Sequence, residues 1–165
     1  MKTVAGSRWS VVSFAQVAAA FLLLGACCLL GSCSIPNLEE QDCREARGRV
    51  REFYSFHFGN DMNLSEENVK LRDKFLTSRL RTDLLNDAVT LPVKTTEYFT
   101  AAPTNDLPKA FRVGECRVVQ PGQEVRFDVL LFWKDDTRTE QKHVFASVKK
   151  EDDSWLIDSV SPFDK

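Results

Sequence analysis

Val125-Arg126-Phe127-Asp128-Val129-Leu130-Leu131-Phe132-Trp133 is the stretch that decides the fold. Successive side chains of a strand point to opposite faces, so Val125, Phe127, Val129, Leu131 and Trp133 form one apolar row. Arg126, Asp128, Leu130 and Phe132 form the other, polar at one end and apolar at the other. Upstream, Phe111–Val119 reads as a strand, and Pro121-Gly122 as a turn whose glycine takes positive φ. Downstream, Asp135-Asp136 marks a turn and Val144, Ala146 and Val148 alternate in a third strand. Glu151–Ser154 turns again, and Trp155–Val160 closes the series. Four strands with short connections predict an antiparallel meander.

Before Phe111 the period is helical. From Glu39 to Phe58 the positions Cys43, Ala46, Val50, Phe53 and His57 recur on one helix face, and Phe53, Tyr54, Phe56 and Phe58 make its end aromatic. Gly59-Asn60-Asp61 supplies the stop, since Gly and Asn tolerate the left-handed conformation. A second helical stretch begins near Ser65, with Glu66 and Glu67 at the positive end of the dipole. Leu76, Leu80 and Leu84 line one face, with Phe75 and Leu85 beside them. Thr77-Ser78 offers a break into two shorter helices, Thr77 capping the second. Pro92 ends helical structure, and Pro92–Pro108 is irregular, with Tyr98-Phe99 as its buried anchor. Helices first and strands afterwards predict an α+β fold, N-terminal helices packed on a four-stranded antiparallel meander sheet.

The N-terminus carries a different kind of information. Lys2 and Arg8 precede an apolar run from Val11 to Leu30, which ends in Leu30-Gly31-Ser32-Cys33-Ser34. A charged start, an apolar stretch and small residues make an export signal. The run is also close to the ~20 residues that span a bilayer, but Ser13 and Gln16 interrupt its start and Gly25, Gly31 and Ser32 crowd its end. The segment resembles the lipobox of bacterial lipoproteins, which implies acylation of Cys33. Leu24-Gly25-Ala26-Cys27 is a second passable lipobox, so Cys27 is the alternative. Cys33 is preferred because it leaves the longer apolar stretch upstream and opens into polar sequence. The expected organisation is a signal peptide over 1–32, the lipidated cysteine and a short tether over 33–38, and a single α+β domain over 39–165. Each buried methylene contributes about 0.8 kcal/mol, so several acyl chains hold permanently. Ser34, not Asp, follows the cysteine, and in a diderm host the resemblance implies the periplasmic face of the outer membrane.

Without the signal, roughly 130 residues remain, enough for one core. The whole chain has 22 basic and 24 acidic residues, and the two basic residues of the signal leave the rest more acidic still. A mildly acidic surface argues against nucleic acid as a partner. Of five cysteines, Cys43 and Cys116 remain after the signal and the lipid site. Outside the cytoplasm they are a candidate disulfide; two separate buried thiols are the other reading.

The order of elements resembles the cone-shaped fold of the nuclear-transport-factor-two superfamily, and more closely a family of bacterial envelope proteins of unknown function. Val50-Arg51-Glu52-Phe53-Tyr54 in the early helix, Lys74-Phe75-Leu76-Thr77-Ser78-Arg79-Leu80, Tyr98-Phe99 and the closing Trp155-Leu156-Ile157-Asp158-Ser159-Val160 carry it. The resemblance implies a cone-like arrangement and brings no catalytic residues to transfer.

Members of that superfamily that are enzymes use an acid or a histidine between helices and sheet, and the pocket candidates here are Tyr54, His57, Tyr98 and Asp128. His57 would serve as a general base, against the ordinary reading of a hydrogen-bonded core histidine. Asp128 sits mid-strand, where burial would raise its pKa, against the reading of an exposed or paired aspartate. With His143 the only other histidine, no cluster has zinc-like spacing. Asp135-Asp136 and Asp152-Asp153 lack the spacing of a calcium loop, and no phosphate-cradling or nucleophile-elbow motif is present. No metal or cofactor is expected. Leu130, Phe132 and Trp133 would expose an apolar patch if one sheet face were uncovered, suited to an envelope protein or a small apolar ligand. The expectation is a non-enzymatic, membrane-anchored binding or scaffolding domain. A small-pocket enzyme and an envelope inhibitor of the immunity type are the alternatives.

Overall fold

The computed structural model describes residues 39–90, 95–134 and 138–163. The lipidation candidates Cys33 and Cys27, Pro92 and the Asp135-Asp136 turn lie outside the described residues. Helix α1 (Gln41–Phe58) is followed by the short α2 (Glu66–Leu71), a 3₁₀ turn (Asp73–Phe75) and α3 (Ser78–Thr90). Strands β1 (Ala110–Gln120), β2 (Glu124–Lys134), β3 (Thr139–Glu151) and β4 (Ser154–Pro162) complete the chain. They form one antiparallel sheet in the order β1-β2-β3-β4, with helices on one face. This is the α+β meander that the alternating pattern predicts.

The core follows from that pattern. Val125, Phe127, Val129 and Leu131 are fully buried and Trp133 nearly so. They meet Val144, Ala146 and Val148 of β3, Ile157 of β4, and the α1 row of Cys43, Ala46, Val50, Phe53 and His57. The apolar patch expected from Leu130, Phe132 and Trp133 does not form. Trp133 belongs to the inner row and donates its indole N–H to the Asp106 carbonyl at 2.9 Å. Leu130 on the outer row is buried and Phe132 half-buried.

Two of the three register shifts in the sheet bear on which way its side chains face. Val113 pairs with Val129 but Cys116 pairs with Phe127, so β1 carries one extra residue, a bulge at Gly114-Glu115. Val113 and Cys116 therefore both turn inward, where strict alternation would send Cys116 outward. Gly114 suits the position because a Cβ there would stand 3.1 Å from the Asp128 carbonyl oxygen. Arg47 of α1 donates to the Gly114 carbonyl at 2.8 Å and the Val113 carbonyl at 3.3 Å. Facing inward, Cys116 is joined to Cys43 in a disulfide with Cα atoms 5.8 Å apart. In β4, Ile157 pairs with Val148 and Ser159 with Ser147, leaving Asp158 as the extra residue of a second bulge.

The helix ends also depart in part from the sequence reading. Gly59 has φ −84, not a left-handed value. Helix α1 ends instead on Asn60, whose side-chain amide donates to the Phe56 carbonyl at 2.7 Å and supplies what a left-handed cap otherwise would. The stretch after Ser65 does break, and Thr77 Oγ1 accepts from the Leu80 N–H at 3.2 Å as the cap of α3. Leu76 is extended, not helical, and bridges Ile157 as a short parallel neighbour of β4.

Candidate functional site

The packed interior between helices and sheet is built from α1 outward. Tyr54 and His57 lie one turn apart, both fully buried, and Tyr54 donates its hydroxyl to the Phe99 carbonyl at 3.0 Å. Burial, helped by the nearby Glu97 charge, pushes the Tyr54 phenol well above its ordinary range. His57 stacks on Phe53 with centroids 5.6 Å apart and takes the edge of Phe99 at 5.1 Å. Arg72 Nε donates to His57 Nδ1 at 3.0 Å. That nitrogen is thereby the acceptor, which leaves the ring proton on Nε2, 3.4 Å from Glu97 Oε1. The Nε2 atom is sealed from solvent and has no well-aligned hydrogen bond.

Glu97 completes the chain. Its carboxylate accepts from the Phe99 N–H at 3.0 Å, the Thr100 N–H at 2.8 Å and the Thr100 hydroxyl at 2.7 Å. Burial acts to raise the Glu97 pKa, but the His57 contact and these donors outweigh it and hold the carboxyl below its ordinary value. Arg72, itself buried, is also tied to the Asn68 carbonyl at 2.8 Å and the Asp61 carbonyl at 2.7 Å. A carboxylate, an imidazole and a guanidinium in series resemble catalytic machinery, yet the free space beside them is about 10 Å³, room for one water at most. The arrangement welds the end of α1 to the 95–103 segment and the turn after α2; no substrate reaches it.

Asp128 lies on the opposite face of the sheet. Its carboxylate contacts His143 Nδ1 at 2.8 and 3.0 Å, a pair held on adjacent strands β2 and β3 and half-exposed. Around it a groove of about 420 Å³ opens between Arg117, Arg126, Phe145 and Phe163. Phe145 and Phe163 stack at 4.9 Å, and the Arg126 guanidinium stands 5.9 Å from the Phe145 ring centroid. Tyr98, the fourth pocket candidate, is half-buried beside Phe99 with centroids 5.0 Å apart. Burial raises its pKa, against the pull of the Arg79 charge. The structure thus brings Tyr54 and His57 together and leaves Asp128 across the sheet, so the four candidates do not share a pocket.

Sequence reasoning missed Glu97, Arg72 and Asp158. Asp158 is almost buried, and its carboxylate takes Thr77 Oγ1 at 2.9 Å, Arg79 Nη2 at 3.0 Å and Lys149 Nζ at 2.9 Å. An acid inside the apolar run Trp155–Val160 was the available signal. Arg72 and Glu97 offered none, since each reads as an ordinary surface charge in a polar stretch. Glu39, Cys43 and Cys116 come close enough to suggest metal ligands, but both sulfurs are spent in the disulfide and neither offers a thiolate.

No family model and no curated protein matches the chain. Among solved structures, a chain of the type VI native effector-immunity complex Tae3-Tai3 from Ralstonia pickettii superposes with a TM-score of 0.54 at 17% identity, covering 72% of this chain and 95% of that one. The Ntf2-like, potential transfer protein TraM from the Gram-positive conjugative plasmid pIP501 gives a TM-score of 0.46 at 12% identity over 76% of this chain and 99% of its own. The first likeness shows a shared fold.

Proposed function

We propose that this chain is a lipid-anchored protein of the bacterial envelope whose folded unit works by binding a protein partner, in the manner of an inhibitor or immunity protein. One observation carries the reading: the interior between helices and sheet is filled. An enzyme of this fold would keep a cavity around Tyr54 and His57, and that space is closed by Phe53, Phe99 and the Arg72–His57–Glu97 chain. What stays accessible is surface, and surfaces recognise partners. The likeness to a chain from an effector-immunity complex supports the choice of role, and the export signal supports the compartment. Acylation at Cys33 is part of the same proposal.

The test is isolation of the full chain from its native membrane under mild detergent, followed by native mass measurement of whatever remains bound. The expected result is one partner at fixed stoichiometry, a hydrolase or toxin whose activity falls when the complex forms, and a chain mass beginning at acylated Cys33. A chain that retains no stoichiometric partner, or a partner whose activity is unchanged by binding, overturns the inhibitor role. An unprocessed mass overturns the anchor.

A further inference from the structure

The outer face of the sheet carries a charge arrangement that the fold does not need. Arg117 and Arg126 stand directly opposite each other on β1 and β2, and like charges so placed destabilise a sheet. Both are exposed. Arg47, Arg79, Arg81 and Arg138 each reach a carboxylate, whereas among the described residues Arg117 and Arg126, like Arg44, Arg51 and Arg112, form no ion pair; only Arg117 and Arg126 face each other across a strand pair. Glu115 lines the same groove without closing on either, and the Asp128 carboxylate is already taken by His143. The bulge at Gly114-Glu115 sets this up, because it shifts β1 so that Arg117 faces outward beside Arg126.

Next to the arginines lies an aromatic shelf. Phe163 is 44% exposed and rests against Phe145 and His143. Two guanidinium groups without an ion pair beside an exposed ring, in a groove large enough for several side chains, match a carboxylate-bearing segment with an aromatic residue. A second copy of this chain is the poorer occupant, since a two-fold contact sets the patch against itself and each side brings two arginines for the two carboxylates Glu115 and Asp128, of which Asp128 already contacts His143.

We infer that this open sheet face is where the partner docks, through an acidic segment whose carboxylates bind Arg117 and Arg126 and whose aromatic side chain stacks on Phe163. The inference rests on the protein-binding reading above and adds the surface and the chemistry of the partner. Rim charges of this kind govern association rate and salt dependence.

The experiment uses the full chain in neutral detergent and a fluorescent peptide of alternating acidic and phenylalanine residues, beside its counterpart with lysine for each acid. The acidic peptide should bind, more weakly as salt rises, and the lysine peptide should not. The double substitution Arg117→Glu/Arg126→Glu should weaken binding about tenfold or more, Arg117→Lys/Arg126→Lys should retain most of it, and Arg81→Glu should change nothing. Equal binding of the two peptides, or indifference to the double substitution, overturns the inference. A second arm places photo-crosslinking residues at Phe163 and, on the helical side, at Leu71, in native cells. An adduct from Phe163 that maps to an acidic segment and disappears with Arg117→Glu/Arg126→Glu supports the inference. An adduct from Leu71 alone overturns the surface and leaves partner binding intact. An adduct of two copies of this chain overturns the acidic partner, and no adduct from either position overturns partner binding itself.

Discussion

The buried carboxylate Glu97 ties α1 to the 95–103 segment, and Asp158 ties the start of α3 to the sheet. Removing one member of a sealed charge cluster strands the others, so Glu97→Ala should lower stability by roughly 3 to 5 kcal/mol in denaturant unfolding. Asp158 titrates usefully. Burial works to raise its pKa, and Lys149, Thr77 and Arg79 together hold it below the ordinary 3.8. A carboxyl with a depressed folded-state pKa contributes stability above its unfolded value and loses that contribution as pH falls through the folded one. Asp158→Asn should therefore cost about 2 kcal/mol at pH 7, and its deficit against the natural protein should shrink as the pH drops below 3.8. Unfolding curves taken at descending pH read this directly, and a constant deficit would refute it. Burial of His57 was legible from its place on the helix face, whereas that of Tyr54, one residue off that row, was not. Their partners were not, because Arg72 and Glu97 come from polar segments whose folding back onto α1 leaves no periodic trace.

Strands were the most legible elements, since alternation survives wherever one face is wet and the other dry. Bulges were not, although a glycine inside a strand, as at Gly114, is a known sign of one. That single extra residue explains why strict alternation misassigns Cys116. Turns divide in the same way. Pro121-Gly122 announces its geometry, and Gly122 indeed takes φ 70. The β3–β4 hairpin places Asp152 at φ 47 and Asp153 at φ 62, the two left-handed positions of a type I′ turn, for which Asp-Gly is the preferred pair. Asp153→Gly should raise stability by about 0.5 kcal/mol, visible as a higher denaturation midpoint with unchanged slope. A drop instead would mean that the second aspartate makes a contact worth more than its backbone strain.

For the molecule as a whole, the α+β class followed from the order of periods, and the filled interior did not, because side-chain volumes do not reveal whether an interior keeps a hole. The Cys43–Cys116 bond spans 73 residues, and closing a loop of that size in the unfolded chain is worth about 4 kcal/mol in the entropic model. Cys43→Ser/Cys116→Ser should lower the unfolding free energy by that order without abolishing the fold, and reductant should have no further effect on the double variant. The same bond governs how the molecule bears tension. A pull arriving from the N-terminal side passes at residue 43 straight into β1, bypassing everything between Arg44 and Glu115. The rest of helix α1 after Cys43, the aromatic interior and the His57 cluster sit inside that covalent detour, and the load falls on the sheet instead. In the proposed reading, a membrane anchor on the N-terminal side and a partner held at Arg117 and Arg126 are joined through the disulfide and two adjacent strands.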